Sequence, residues 1–144
     1  MSNLGIKGLR KHKSLLAWLP VFIWLEIIFI LSSIPAAELP AMPSEGWHFW
    51  AHRTAHILEY AVLGVLVIRA YTHDRPYKGL GTVFLLALFI LLAGLFDEWH
   101  QSFVPGRDCE LLDAMFDTVC GTFGMLLYKI CFYKKLMGKN PKEQ

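Results

Sequence analysis

The sequence predicts an all-α polytopic membrane protein, a bundle of four transmembrane helices with both termini in the cytoplasm. Three observations carry that expectation. Of the 144 residues 55% are hydrophobic and 18% charged, where a soluble domain carries about 25% charge. The apolar residues gather into four long runs, and the charges bracket those runs instead of alternating with them. The length suits one domain, divided into a basic segment 1–14, a membrane domain 15–133 and a basic tail 134–144.

Crossing a bilayer core takes about 20 mostly apolar residues, and four stretches qualify: 15–34, 54–71, 79–101 and 111–132. Pro35, Pro40 and Pro43 close the first, His73-Asp74-Arg75-Pro76 separates the second from the third, and Val104-Pro105-Gly106-Arg107-Asp108 precedes the fourth. Pro20 falls in the early turns of the first helix, where it costs little or introduces a mild kink. That first run is longer than the apolar region of a signal peptide, and a proline stands where cleavage would occur, so an uncleaved span is expected.

Orientation follows from the Lys/Arg bias of the loops. With the N-terminus inside, all but two of the 14 basic residues lie on the cytoplasmic side; only Arg53 and Arg107 fall on the other. The acids do the reverse, with only Asp74 and Glu143 of the 12 inside. Trp47, Phe49, Trp50 and Trp99 suit an outer aromatic belt, and Tyr128, Phe132 and Tyr133 an inner one. A net charge of +2 without a basic recognition motif excludes a nucleic-acid partner. Cys109, Cys120 and Cys131 form no CxxC pair and are read as core residues.

An ionisable side chain at the centre of a span costs about 2.5–3.5 kcal/mol on insertion scales, yet several occur here. At 100° per residue, His52, Arg53, His56, Glu59, Tyr60 and Leu63 share one arc of the second helix. Asp97, His100 and Gln101 share an arc at the end of the third, with Glu98 at its margin. Asp113, Asp117, Cys120, Gly121, Gly124 and Tyr128 align on the fourth, and the first offers Glu26 with Ser33 above it. Four polar faces are hidden only by pointing at one another, which predicts a hydrated acidic cavity opening outwards. The plainer reading takes Glu98, Asp108 and Glu110 as solvated caps, Glu59 and Asp117 as helix-joining hydrogen bonds, and Gly121 and Gly124 as packing contacts.

Leu31-Ser32-Ser33-Ile34-Pro35, His52-Arg53-x-x-His56-x-x-Glu59-Tyr60-x-x-Leu63-Gly64, Asp97-Glu98-x-His100-Gln101-x-Phe103-Val104-Pro105-Gly106-Arg107 and Asp113-x-x-x-Asp117-x-x-x-Gly121-x-x-Gly124 succeed one another along the chain. This series resembles the VanZ-like family, named for a protein associated with teicoplanin resistance. Members often show Arg-Lys before the helix-two histidine; here the pair is His52-Arg53, so the basic role passes to Arg53. The resemblance implies an integral protein of the bacterial cytoplasmic membrane connected with the cell envelope, and does not supply a reaction.

Two function classes fit these residues. In the first, an intramembrane site acts on an envelope lipid or lipid-linked glycan. His56 is then the general acid or base, with Glu59, Asp97 or Asp117 orienting it. Arg53 and Arg107 hold a phosphate or carboxylate, and Tyr60, Glu98, His100, Gln101 and Asp113 complete the binding surface. In the second, the same cavity binds or transports a lipid or lipoglycopeptide without chemistry, or serves an accessory subunit. A lipid found between helices two and four would be the most informative observation for such a site. His52/His56 and Asp113/Asp117 have the i, i+4 spacing of metal ligands, but Arg53 and Arg107 oppose a cation; no metal or cofactor is expected, and the oligomeric state is left open.

Overall fold

Length and apolarity make four helices, and glycine and proline end them. The structure is a computed structural model describing residues 3–41, 43–107 and 109–137, with side chains described over 15–132 apart from 42, 45, 48, 74 and 108. The side chains of the basic N-terminal segment, Asp108 and the tail beyond 137 lie outside the described residues. The elements are α1 Asn3–Ser32, a 3-10 turn Ala36–Glu38, α2 Glu45–Asp74, α3 Leu80–Gln101 and α4 Leu111–Met137, without a strand among the described residues. All four helices are long and apolar enough to cross a membrane, over Leu15–Ser32, Phe49–His73, Leu80–Gln101 and Leu111–Phe132. The chain is a multi-pass membrane protein.

The second span starts at Phe49, five residues before the 54 expected from sequence. Within that added length Arg53 forms an ion pair with Asp113, so its charge is balanced inside the bundle. Pro20 lies inside α1 without ending it. Gly79 takes a left-handed φ of 69° ahead of α3, and the Lys78 N–H donates to Thr82 Oγ1 (2.9 Å) across that first turn. Pro105-Gly106 forms a turn closed by Arg107 N–H donating to the Val104 carbonyl (3.1 Å). Gly106, at φ 75°, supplies the positive φ that a type II turn requires at its third position.

Around the bundle the order is α1, α2, α4, α3, with α1 and α4 not in contact among the described residues. The tightest seam joins α2 to α4. A Cβ on Gly64 would overlap the Gly121 carbonyl, and one on Gly124 would overlap the carbonyl of Ala61. Small residues let backbones approach in a medium where lipid supplies no hydrophobic drive, so these glycines are packing contacts. Tyr60, Leu63, Val67, Ile68, Ile90 and Met125 fill the interior beside them. Phe22, Leu85, Leu92, Val119, Phe123 and Ile130 face outwards, while Asp97, Glu98, Gln101, Asp113 and Asp117 are buried. Polar within and apolar without is the inversion a lipid solvent imposes.

Helix α1 is the least enclosed, with 17% of its span buried against 39% for α2 and α4. Glu26 does not share in the polar interior expected of it: it is exposed on α1's outer surface. Ser32, one position before the serine singled out from the sequence, is buried in its place. Helical rotation explains the difference, since Trp24 and Ile28 turn inwards and carry position 32, not 26, round with them.

Candidate functional site

The polar side chains assemble at the end of the bundle where α1 joins α2 and α3 joins α4. They form a fixed network around a cavity of about 260 Å³. The network begins with Asp97 on α3. It accepts hydrogen bonds from Ser32 Oγ (2.6 Å) at Oδ1 and from Gln101 Nε2 (2.9 Å) at Oδ2. Both carboxylate oxygens are thereby engaged, and α1 is fastened to α3. On α2, the His56 Nδ1–H donates to Asp117 of α4, 3.0 Å from Oδ1 and 3.2 Å from Oδ2. Asp117 is wholly buried, which suits a carboxylate whose task is to orient an imidazole. With Nδ1 occupied, Nε2 is the ring nitrogen left for a ligand. Tyr60, one turn further along α2, stacks on the His56 ring at 6.2 Å and is itself buried.

Arg53 leaves this group. Adjacent positions on a helix diverge by about 100°, so Arg53 turns towards α4. There it donates to Asp113 Oδ1 (2.5 Å) and lies between the rings of Phe49 and Phe116, 5.4 and 5.3 Å from their centroids. The helix-two arc is thus divided: Arg53 and Asp113 line an open crevice between α2 and α4, and His52, His56 and Glu59 line the more enclosed cavity among α1, α2 and α3. Two concavities thus flank α2, one against α1 and α3 and the other against α4, above the glycine seam that closes the α2–α4 interface further down.

Six residues singled out from sequence line the cavity: His52, His56, Glu59, Asp97, Gln101 and Arg107. Asp117 and Tyr60 stand behind His56. Glu98 is not a solvated cap; it is buried and accepts the Glu110 N–H (2.8 Å), tying α3 to the start of α4. His100 faces α1. Ser33 Oγ donates to the Phe29 carbonyl (2.6 Å) and so accepts from His100 Nε2 (2.9 Å), whose ring rests 4.2 Å from that of Phe29.

Three polar groups on the cavity wall are not consumed by this network. Arg107 donates through Nε to the Ile34 carbonyl (3.2 Å), and no carboxylate among the described residues pairs with its two terminal nitrogens. His52 packs its ring 4.4 Å from His56. Glu59 lends only its backbone carbonyl, to Trp24 Nε1 (2.8 Å), and its carboxylate faces the cavity. The arrangement presents a cation near the mouth, two imidazoles along the wall and an acid roughly 10 Å deeper than His52, at 1.5 Å per residue. Among the described residues no three His, Cys, Asp or Glu side chains converge on one point as metal ligands do.

Sequence reasoning missed Ser32, the loop residues Leu39 and Pro40, and the two alanines Ala51 and Ala55, all of which line the cavity. A serine beside another serine is settled only by helical phase, and alanine carries no chemical signal. No curated protein and no solved structure matches the chain. The VanZ/LLP1 family matches residues 16–132, which takes in all four spans but for Leu15 and every residue of the cavity wall, and the chain belongs to that family.

Proposed function

We propose that the cavity binds the anionic headgroup of an envelope lipid or lipid-linked glycan, and that His56 moves a proton to or from it. The observation that carries this reading is the contrast within the site. Asp97, Asp113, Asp117 and Glu98 are each engaged by a protein donor, whereas Arg107, His52 and Glu59 face the cavity with capacity to spare. A structural network would satisfy its members; ionisable groups held unpaired within a membrane protein mark a ligand path. Arg107's free fork matches a phosphate or carboxylate. The Asp117–His56 pair has the form of an oriented acid–base group, with Nε2 available for exchange.

The surrounding reading is a bacterial cytoplasmic membrane protein with both termini inside, supported by the Lys/Arg bias of its loops. The cavity then opens towards the outer leaflet, where envelope lipids and lipid-linked glycans are exposed. Family membership supports a link to glycopeptide resistance, tested by teicoplanin susceptibility of cells with and without the gene.

A second reading, a lipid or lipoglycopeptide binder without chemistry, is favoured by one feature: the hydroxyl nearest the network, Ser32, is committed to Asp97, leaving no evident nucleophile. The His56→Asn variant separates the two, because an asparagine amide takes the place of Nδ1–H and removes Nε2. Native mass spectrometry of the protein purified from its membranes should find a phosphorus-containing lipid retained by the wild type and by His56→Asn, and lost from Arg107→Gln. Teicoplanin tolerance that falls in His56→Asn while the lipid stays bound supports proton transfer; unchanged tolerance supports the binder. Wild-type protein free of lipid would sink both.

A further inference from the structure

The cavity has two possible entrances. One lies above, beneath the loop joining α1 to α2; the other lies sideways, between the helices themselves. Above, Leu39 and Pro40 form part of the wall, and their loop is fastened by Ala36 N–H donating to the Pro105 carbonyl (3.2 Å) and by Arg107 Nε on Ile34. Sideways, the wall includes Leu31 of α1 and Ala51 and Ala55 of α2. All three are also exposed, Leu31 by 43%, as is Pro40 of the loop above. Exposed residues that line a cavity belong to the rim of its opening, so the rim runs from Pro40 down between the two helices, where the side chains at 51 and 55 are only methyl groups.

Below the rim, exposed Leu58 and Val62 continue the line of Ala51 and Ala55 at helical spacing. From Ala51 to Val62 this track runs about 16 Å, close to half of a hydrocarbon core of about 30 Å. A free anion has no use for an apolar track one leaflet long. A lipid with its headgroup at Arg107 lays its chains along it in the orientation it already holds in the bilayer. Resting on the binding reading above, we infer that the ligand is a membrane lipid entering laterally between α1 and α2 through the opening rimmed by Leu31, Ala51 and Ala55. Its anionic headgroup meets Arg107, and its chains stay in the membrane against Leu58 and Val62.

The test uses the full chain, purified and delipidated, with phosphatidylglycerol and inorganic phosphate as separate probes in native mass spectrometry. The wild type should take up one phosphatidylglycerol tightly and no phosphate at the same concentration. Ala51→Leu and Ala55→Leu, each made alone on an exposed surface and checked for helicity and monodispersity, should weaken lipid uptake at least tenfold. Val119→Leu, the same kind of enlargement on the exposed face of α4, should stay within twofold. Undiminished uptake in both alanine variants overturns the lateral route while leaving the binding reading intact. Phosphate bound as tightly as the lipid overturns it in favour of a soluble anion. Neither probe bound by the wild type removes the binding reading, and this inference with it.

Discussion

His56 and Asp117 meet across the α2–α4 interface with Nδ1 3.0 Å from Oδ1, about two turns along α2 and one turn along α4 from the point where Gly64 and Gly121 bring the same two backbones together. The two features depend on each other. The glycine seam fixes the helix separation, and at that separation an aspartate reaches an imidazole without a gap. Because Asp117 has no exposed surface, its partner cannot be replaced by bulk water.

Removing the acid therefore leaves a buried imidazole N–H without an acceptor, at a cost of about 1–3 kcal/mol. Asp117→Ala should lower the midpoint of SDS-induced unfolding accordingly, and Asp117→Asn, which keeps an acceptor oxygen, should lower it less. Equal stability of Asp117→Ala and wild type would show that the pair does not hold α2 to α4.

The glycine seam makes a steric prediction with an internal control. Gly64→Ala and Gly124→Ala force a methyl group into the backbone of the facing helix and should each cost about 1–3 kcal/mol through overpacking. Gly81→Ala meets no atom within 4 Å and, in the first turn of α3, should be neutral or stabilising by up to about 1 kcal/mol. The same unfolding titration measures all three, and a tolerant Gly64 would refute the close approach.

Helix α1 buries little surface, so its polar anchor counts for more. Ser32→Ala deletes the bond to Asp97 and should cost about 0.5–1.5 kcal/mol, the range of interhelical hydrogen bonds in membranes. Hydrogen exchange should show faster opening at the loop end of α1, with α4 unchanged. Uniform acceleration across all four helices would assign Ser32 to the global core instead.

The chain carries its own topology probes. Of the three cysteines expected in the core only Cys120 is buried; Cys109 is exposed in the α3–α4 connection and Cys131 near the far end of α4. With both termini in the cytoplasm, a membrane-impermeant maleimide applied to intact cells should label Cys109 and spare Cys131 until the membrane is opened. The reverse pattern would invert the orientation.

The four spans were legible in the sequence because span length is a property of the bilayer, and proline, glycine and charge punctuate it. The composition of the buried cluster was legible for a related reason: His56, Glu59, Asp97 and Asp117 are too costly to face lipid. Its partition was not. Arg53 and His52 are neighbours in sequence, and only the position of α4 sends one to Asp113 and the other to the cavity. Glu26 was assigned inwards from its charge alone, whereas the phase of α1, set by Trp24 and Ile28, turns it out. The helix order around the bundle, which places one concavity beside α1 and another between α2 and α4, depends on pairings that no single helix encodes.

The most direct test of the central claim, that Arg107 holds the headgroup of a membrane lipid, is solid-state NMR on the protein in phosphatidylglycerol bilayers. Arginine labelled with ¹⁵N is observed for dipolar contact with lipid ³¹P. The account predicts a short N–P contact at the Arg107 guanidinium that disappears in Arg107→Lys and persists in Arg53→Lys. A spectrum unchanged by Arg107→Lys, or a phosphate contact that follows Arg53, would contradict it.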